Sequence, residues 1–260
     1  LQAPPDALNA SRWPVRQTLQ ADAGTALAPV TVSTPNTEVA NSTDTPFTPP
    51  DTMGDVGPTQ VVVVLNGRIR TIRKTDGLKD GVLDADTDVF FNVANTGDPR
   101  VRYDARTQRW YVLVFTIAVP NKYLLAVSST STITPTTTWT VHQWADTRTA
   151  AGIVGGDPCF GDYPTLGVDE DALYIGVNQF CGADIDAVTF ESTSAYVVRK
   201  SALPASLVVF QFDALMTTSS GSGLYTPQGV DNVDANTNTG YFIGVDGFFW
   251  GLLQMRRIMN

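Results

Sequence analysis

The chain has 260 residues, enough for one large β domain or two small ones, with 43% apolar and only 17% charged residues. Its net charge of −9 argues against nucleic acid and anionic membrane surfaces as partners, because phosphate binding needs a basic face. No apolar run reaches the roughly 18 residues of a spanning helix, so no membrane insertion of that kind is expected.

The acids are aspartates apart from Glu38, Glu170 and Glu191, and 21 glycines with 16 prolines supply many turns. Aspartate caps turns and ligates calcium whereas glutamate favours helices, so a turn-rich all-β fold is expected. The start, LQAPPDALNASRWP, has neither a basic flank nor an apolar core and reads as a mature or trimmed terminus, its signal peptide already removed. Residues 1–49 are rich in Thr, Pro, Ser and Asn, which suits an extended arm, and they hold two weak glycosylation sequons at Asn9 and Asn41.

Residues 50–260 form the second region, where strand signals begin. Val61–Leu65 and Arg68–Arg73 flank Asn66-Gly67, the strongest short signal for a hairpin. DPRVRYD, RWYVLVFTI, KYLLAVSST and WTVHQWA follow as four strands. After a Gly-rich loop come YPTLGVD, ALYIGVNQF, SAYVVRKSAL and LVVFQFDAL, and then PQGVDNV, GYFIGVDG and GLLQMRRIMN. The sets repeat. Each crosses from an Asp-ended strand to one led by an aromatic: Asp104 precedes Tyr111, Asp169 precedes Tyr174, and Asp234 precedes Tyr241. Four strands per unit at a long period point to a β-propeller of four-stranded antiparallel blades, with a β-sandwich as the alternative. About three and a half blades are present where closure takes about four to eight, so a second chain or copy, or further sequence, is expected to complete the ring.

Cys159 and Cys181 lie on either side of one strand pair. They form either a disulfide, which places the protein outside the cell or at its surface, or two buried thiols.

Four segments, PPDTMGDVGP, GDPRVRYDARTQRWYVLVF, LLAVSSTSTITPTTTWTVHQW and GDYPTLGVDEDALYIGVNQF, resemble a group of secreted bacterial proteins described as sialidase-like or BNR-type β-propellers. The resemblance covers roughly residues 49–250 and implies the propeller fold; fold alone implies no activity.

Sialidase chemistry asks for an arginine cluster drawn from several blades, yet Arg100, Arg102, Arg106 and Arg109 share one, and the Asp-box repeat is absent. They are expected to be solvated strand charges. The single histidine, His142, has no nucleophile elbow beside it, and no zinc ligand set exists. Calcium is the cofactor the composition suits. Asp234, Asn236 and Asn238 alternate in DANTNTG, and Asp84, Asp86 and Asp88 alternate in DADTDV; an Asx-rich turn is the alternative for both. Asp51, Asp55, Asp98, Asp157 and Asp162 each precede the inner strand of a blade and are expected to ring the channel mouth, holding a cation or sugar hydroxyls or capping loops. Trp110, Trp139, Trp144 and Trp250 are expected in the packing between blades. The functional expectation is a secreted or cell-surface binding or structural module for a glycan or protein ligand. A glycan-active enzyme, hydrolase or lyase, completed by further blades, is the alternative.

Overall fold

The computed structural model describes residues 38–150, 154–217, 221–234, 238–249 and 251–259. The N-terminal arm up to residue 37, Asn236 and Trp250 lie outside the described residues.

Antiparallel sheets follow one another along the chain. Sheet 1 comprises β1 (Met53–Val56), β2 (Gln60–Leu65), β3 (Arg68–Arg73) and β4 (Lys79–Ala85), paired in that order. Its central hairpin is the expected one: Leu65 opposes Arg68, and Gly67 takes the left-handed φ of 80° that the tight turn requires. A short helix α1 (Thr87–Phe91) leads to sheet 2, made of β5 (Thr96–Asp104), β6 (Arg109–Thr116), β7 (Lys122–Ser128) and β8 (Trp139–Ala145). Sheet 3 holds β9 (Cys159–Asp162), β10 (Gly167–Val168), β11 (Ala172–Cys181), β12 (Thr189–Arg199) and β13 (Val209–Thr217), with β9 and β10 both paired to β11. Sheet 4 holds β14 (Leu224–Gly229), β15 (Thr239–Asp246) and β16 (Leu253–Met259). The run Tyr163–Asp169, expected as one strand, is interrupted at Tyr163-Pro164, because proline cannot donate to a ladder.

Each sheet packs face to face on the next. Val62, Val64 and Ile69 of sheet 1 meet Trp110, Val112 and Val114 of β6. The alternate residues of β6, Tyr111, Leu113 and Phe115, meet Leu173, Ile175 and Val177 of β11. The other face of β11, Ala172 and Tyr174, meets Leu224 and Phe242 of sheet 4. The second strands of sheets 1 to 3, β2, β6 and β11, are thus buried on both faces and read in sequence as apolar runs. Burying each such large side chain stabilises the fold by roughly 1.5–3 kcal/mol. Residues 39 onward already belong to this unit: Val39 and Ala40 pack on Val63, Leu65 and Ile72, and Asp44 meets the buried Arg70 at 2.6 Å.

Cys159 and Cys181 stand directly opposite each other on β9 and β11 and form the expected disulfide. The first strands β1, β5, β10 and β14 lie side by side, which sets whatever their ends carry at two common positions.

Candidate ligand-binding site

The beginnings of the first strands share one irregularity. Asp98-Pro99 interrupts the β5–β6 register, Thr226-Pro227 interrupts β14–β15, and Tyr163-Pro164 separates β9 from β10. In all three the residue before proline has positive φ: 44° at Asp98, 51° at Tyr163 and 48° at Thr226. Asp51, just ahead of β1, has a φ of 43°. Proline removes a ladder donor, the strand bulges, and the bulge re-aims the neighbouring side chains. Non-glycine residues at such φ concentrate at functional sites.

Side-chain amides hold these bulges, each from the preceding sheet. Asn66 accepts from the Asp98 main-chain N–H at 2.8 Å and donates to the Asp51 carboxylate at 2.8 Å. Buried Asn121 accepts from Gly161 N–H at 3.1 Å and donates to its carbonyl at 2.8 Å. Gly161 leaves no room for a side chain, since a Cβ there would lie 1.9 Å from the Tyr123 hydroxyl. Asn178 accepts from Thr226 N–H at 3.1 Å and donates to its hydroxyl at 3.2 Å. Sequence reasoning missed these three. Their signal was an asparagine late in the second strand or in the turn after it in sheets 1 to 3, at positions 66, 121 and 178.

Three of the five expected channel-mouth acids come together here. Asp98 lies close enough to Asp162 and Asp51 to feel both charges; burial first, then these two neighbours, push its carboxyl up to about 6, against the pull of Arg100. Asp162 is raised as well, mainly by burial and further by Asp51. Arg100, expected as a solvated strand charge, is 4% exposed: the Asp98-Pro99 bulge turns it inward, where it donates to the Pro99 carbonyl and lies 4.6 Å from the centre of the Tyr163 ring. Tyr163 itself is 44% exposed. The site is therefore three carboxyl groups and one buried guanidinium, the guanidinium lying against a half-exposed tyrosine ring. Carboxylates accept hydrogen bonds from hydroxyl and ammonium groups, and an exposed ring stacks on apolar sugar faces.

The other two acids lie elsewhere. Asp55 is at the far end of β1, where its carboxylate accepts from the Tyr103 N–H at 2.7 Å. Asp157 is exposed ahead of β9, its carbonyl accepting from Ala150 N–H. Asp55 lines a cleft of about 470 Å³ together with Arg102, Arg106, Val168, Asp231 and Val233. Its charges are partly exposed but also tied across the sheets: Arg102 meets Asp231 at 3.2 Å, and Arg106 donates to the Val233 carbonyl at 2.7 Å.

The side chains of the first expected calcium stretch, Asp84, Asp86 and Asp88, each have partners within the protein. Asp84 pairs with Arg68 and Arg70, Asp86 caps α1 by accepting from Asp88 N–H and Val89 N–H, and Asp88 accepts from the N–H groups of Asn95 and Thr96. Asp234 and Asn238 are exposed on either side of residues 235–237. Among the described residues no three His, Cys, Asp or Glu side chains gather as a metal site. Two of the recurring aspartates tie their turns: Asp104 accepts from Thr107 and pairs with buried Lys200 at 2.5 Å, and Asp169 accepts from the Tyr174 hydroxyl at 2.7 Å. Trp110 is fully buried between sheets, as expected, with its indole N–H donating to the Ser131 carbonyl.

Fold and site together define an all-β protein of stacked antiparallel sheets with an acidic cluster, an arginine and a tyrosine at the strand entrances. No protein-family model matches the chain, and no curated protein does. A solved structure titled "Glycoside hydrolase" is similar over 80% of this chain and 45% of its own length, at 14% identity and a TM-score of 0.36. The chain thus spans less than half of that structure's length.

Proposed function

We propose that this chain is part of an extracellular β-propeller that binds glycans at the cluster of Asp51, Asp98, Arg100, Asp162 and Tyr163. The observation that carries the reading is the convergence of three carboxyl groups from consecutive sheets around a buried arginine that lies against an exposed tyrosine. Three acids outnumber the one arginine, so the site favours neutral or amino sugars and repels uronic and sialic acids. The face-to-face series of sheets supports the propeller, and the disulfide suits an oxidising compartment.

A panel of neutral, amino and acidic oligosaccharides, screened on an array and followed by calorimetry, tests this. Binding should be confined to the neutral and amino members, and Tyr163→Ala should weaken it by up to about tenfold, the loss expected for one stacked ring. Binding that prefers acidic sugars, or that ignores Tyr163→Ala, would refute the reading.

One observation favours a catalytic variant. A carboxyl raised to about 6 beside a second carboxylate is the arrangement of a general acid and its partner in glycoside hydrolysis. In that case Asp98→Asn abolishes release of reducing ends while binding persists; a pure binding module releases none in the wild type.

A further inference from the structure

Among the described residues, six buried side-chain polar atoms have no hydrogen-bond partner, and all six belong to sheets 2 and 3 or the link between them. Three are nitrogens: His142 Nε2 and Trp144 Nε1 on β8, and Arg148 Nε just after it. Three are oxygens: Gln179 Oε1 on β11, and Ser192 Oγ and the Tyr196 hydroxyl on β12. The contacts around them bring the two sets together. Gln179 stands opposite Ser192 in the register, and its amide N–H donates to the buried Asp146 carboxylate at 2.8 Å. The Arg148 main-chain N–H donates to the same carboxylate at 2.9 Å. The Arg148 guanidinium meets Glu191, the chain neighbour of Ser192, at 3.3 Å. Trp144 lies 6.0 Å from Tyr196, ring centre to ring centre.

We propose that sheets 2 and 3 hold a site for ordered water between Arg148, Gln179 and Ser192, and that this water joins the two sheets. A buried polar group left unpaired is costly, and interior waters settle where about three such groups converge. The orientation of the Gln179 amide follows from Asp146: its N–H turns to the carboxylate, so Oε1 faces away and needs a donor. Gln179 Oε1 only accepts, Arg148 Nε only donates, and Ser192 Oγ does both. Water answers all three at once. A cation would be repelled by the Arg148 guanidinium, and an anion by the Asp146 carboxylate. Both walls of the site, the Asp146–Arg148 segment and the β11–β12 pair, belong to this chain, so no further sheet is needed to complete it.

Two measurements on the full chain test this. Ser192→Ala deletes the hydroxyl and adds no bulk, and its effect has opposite signs in the two cases. A hydroxyl bonded to water contributes a hydrogen bond, so its loss should raise the unfolding constant about fivefold in urea titrations. A dry, unpaired hydroxyl opposes folding, so its loss would lower that constant. The second measurement is a high-resolution crystal structure of the wild type and of the variant. The wild type should show a water within about 3.2 Å of at least two of Gln179 Oε1, Ser192 Oγ and Arg148 Nε. In the variant that water should be weakened or displaced. The proposal is overturned if Ser192→Ala leaves stability unchanged or increases it, or if the three atoms pair with one another and no water lies among them. Density surrounded by six or more oxygens at about 2.3–2.6 Å would also overturn it, since that is a bound cation.

Discussion

At Asp98 a left-handed main chain and two like-charged neighbours fall on one residue. The conformation alone costs about 1–3 kcal/mol for a non-glycine residue, and the surroundings disfavour its charge. In the unfolded chain this carboxyl titrates near 3.8, and in the folded protein near 6. The folded state therefore binds the proton more tightly between those values, and the stability held at pH 4 is lost as the pH rises through 6. Asp98→Asn removes the titration. Urea unfolding should show the variant equal to the wild type at pH 4 and more stable at pH 7, by at most about 3 kcal/mol. A difference of the same size at both pH values would remove the electrostatic explanation. Sequence position alone marked Asp98 as an acid at a strand entrance. It could not show Arg100 beside it, because alternation along an ideal strand puts that arginine outward and only the proline bulge turns it in.

At the scale of elements, legibility followed burial. β6, β7 and β11 stood out in the sequence because both their faces are covered. β1 and β4 escaped notice because they are partly exposed and carry no apolar run. Helix α1 was hidden for another reason: alternating aspartates that cap a helix and tie a loop have the same spacing as those that hold a cation. The asparagine fasteners belong to this scale too, since each joins one sheet to the main chain of the next. Asn121→Ala removes the amide that holds the buried Gly161 N–H and carbonyl, leaving the carbonyl only the long contact with the Tyr123 hydroxyl, and should lower stability by about 1–3 kcal/mol in denaturant titrations. An unchanged midpoint would show that the amide is dispensable.

Across the whole described unit the cores between sheets share their second strands, so β6 and β11 each serve two interfaces at once. Trp110→Ala, though placed between sheets 1 and 2, should cost about 3–5 kcal/mol and lower the transition of all four sheets together. Coincident unfolding curves from tryptophan fluorescence and circular dichroism would agree with that; an early, separate loss of sheet 1 would contradict it. The serial order of sheets was legible from the repeated Asp-to-aromatic crossing. The ties between sheets 2 and 4, Arg102 to Asp231 and Arg106 to Val233, were not, since they join residues more than a hundred positions apart.

Asn66, Asn121 and Asn178 have one more consequence, and it concerns how such a chain can lengthen. Each amide is encoded with the sheet that precedes the one it fastens. A tandem copy of one such stretch of gene therefore brings a new sheet together with the clasp for its successor. The joint needs no redesign, and the number of sheets can grow or shrink by whole units while the strand-entrance site is rebuilt from the same parts.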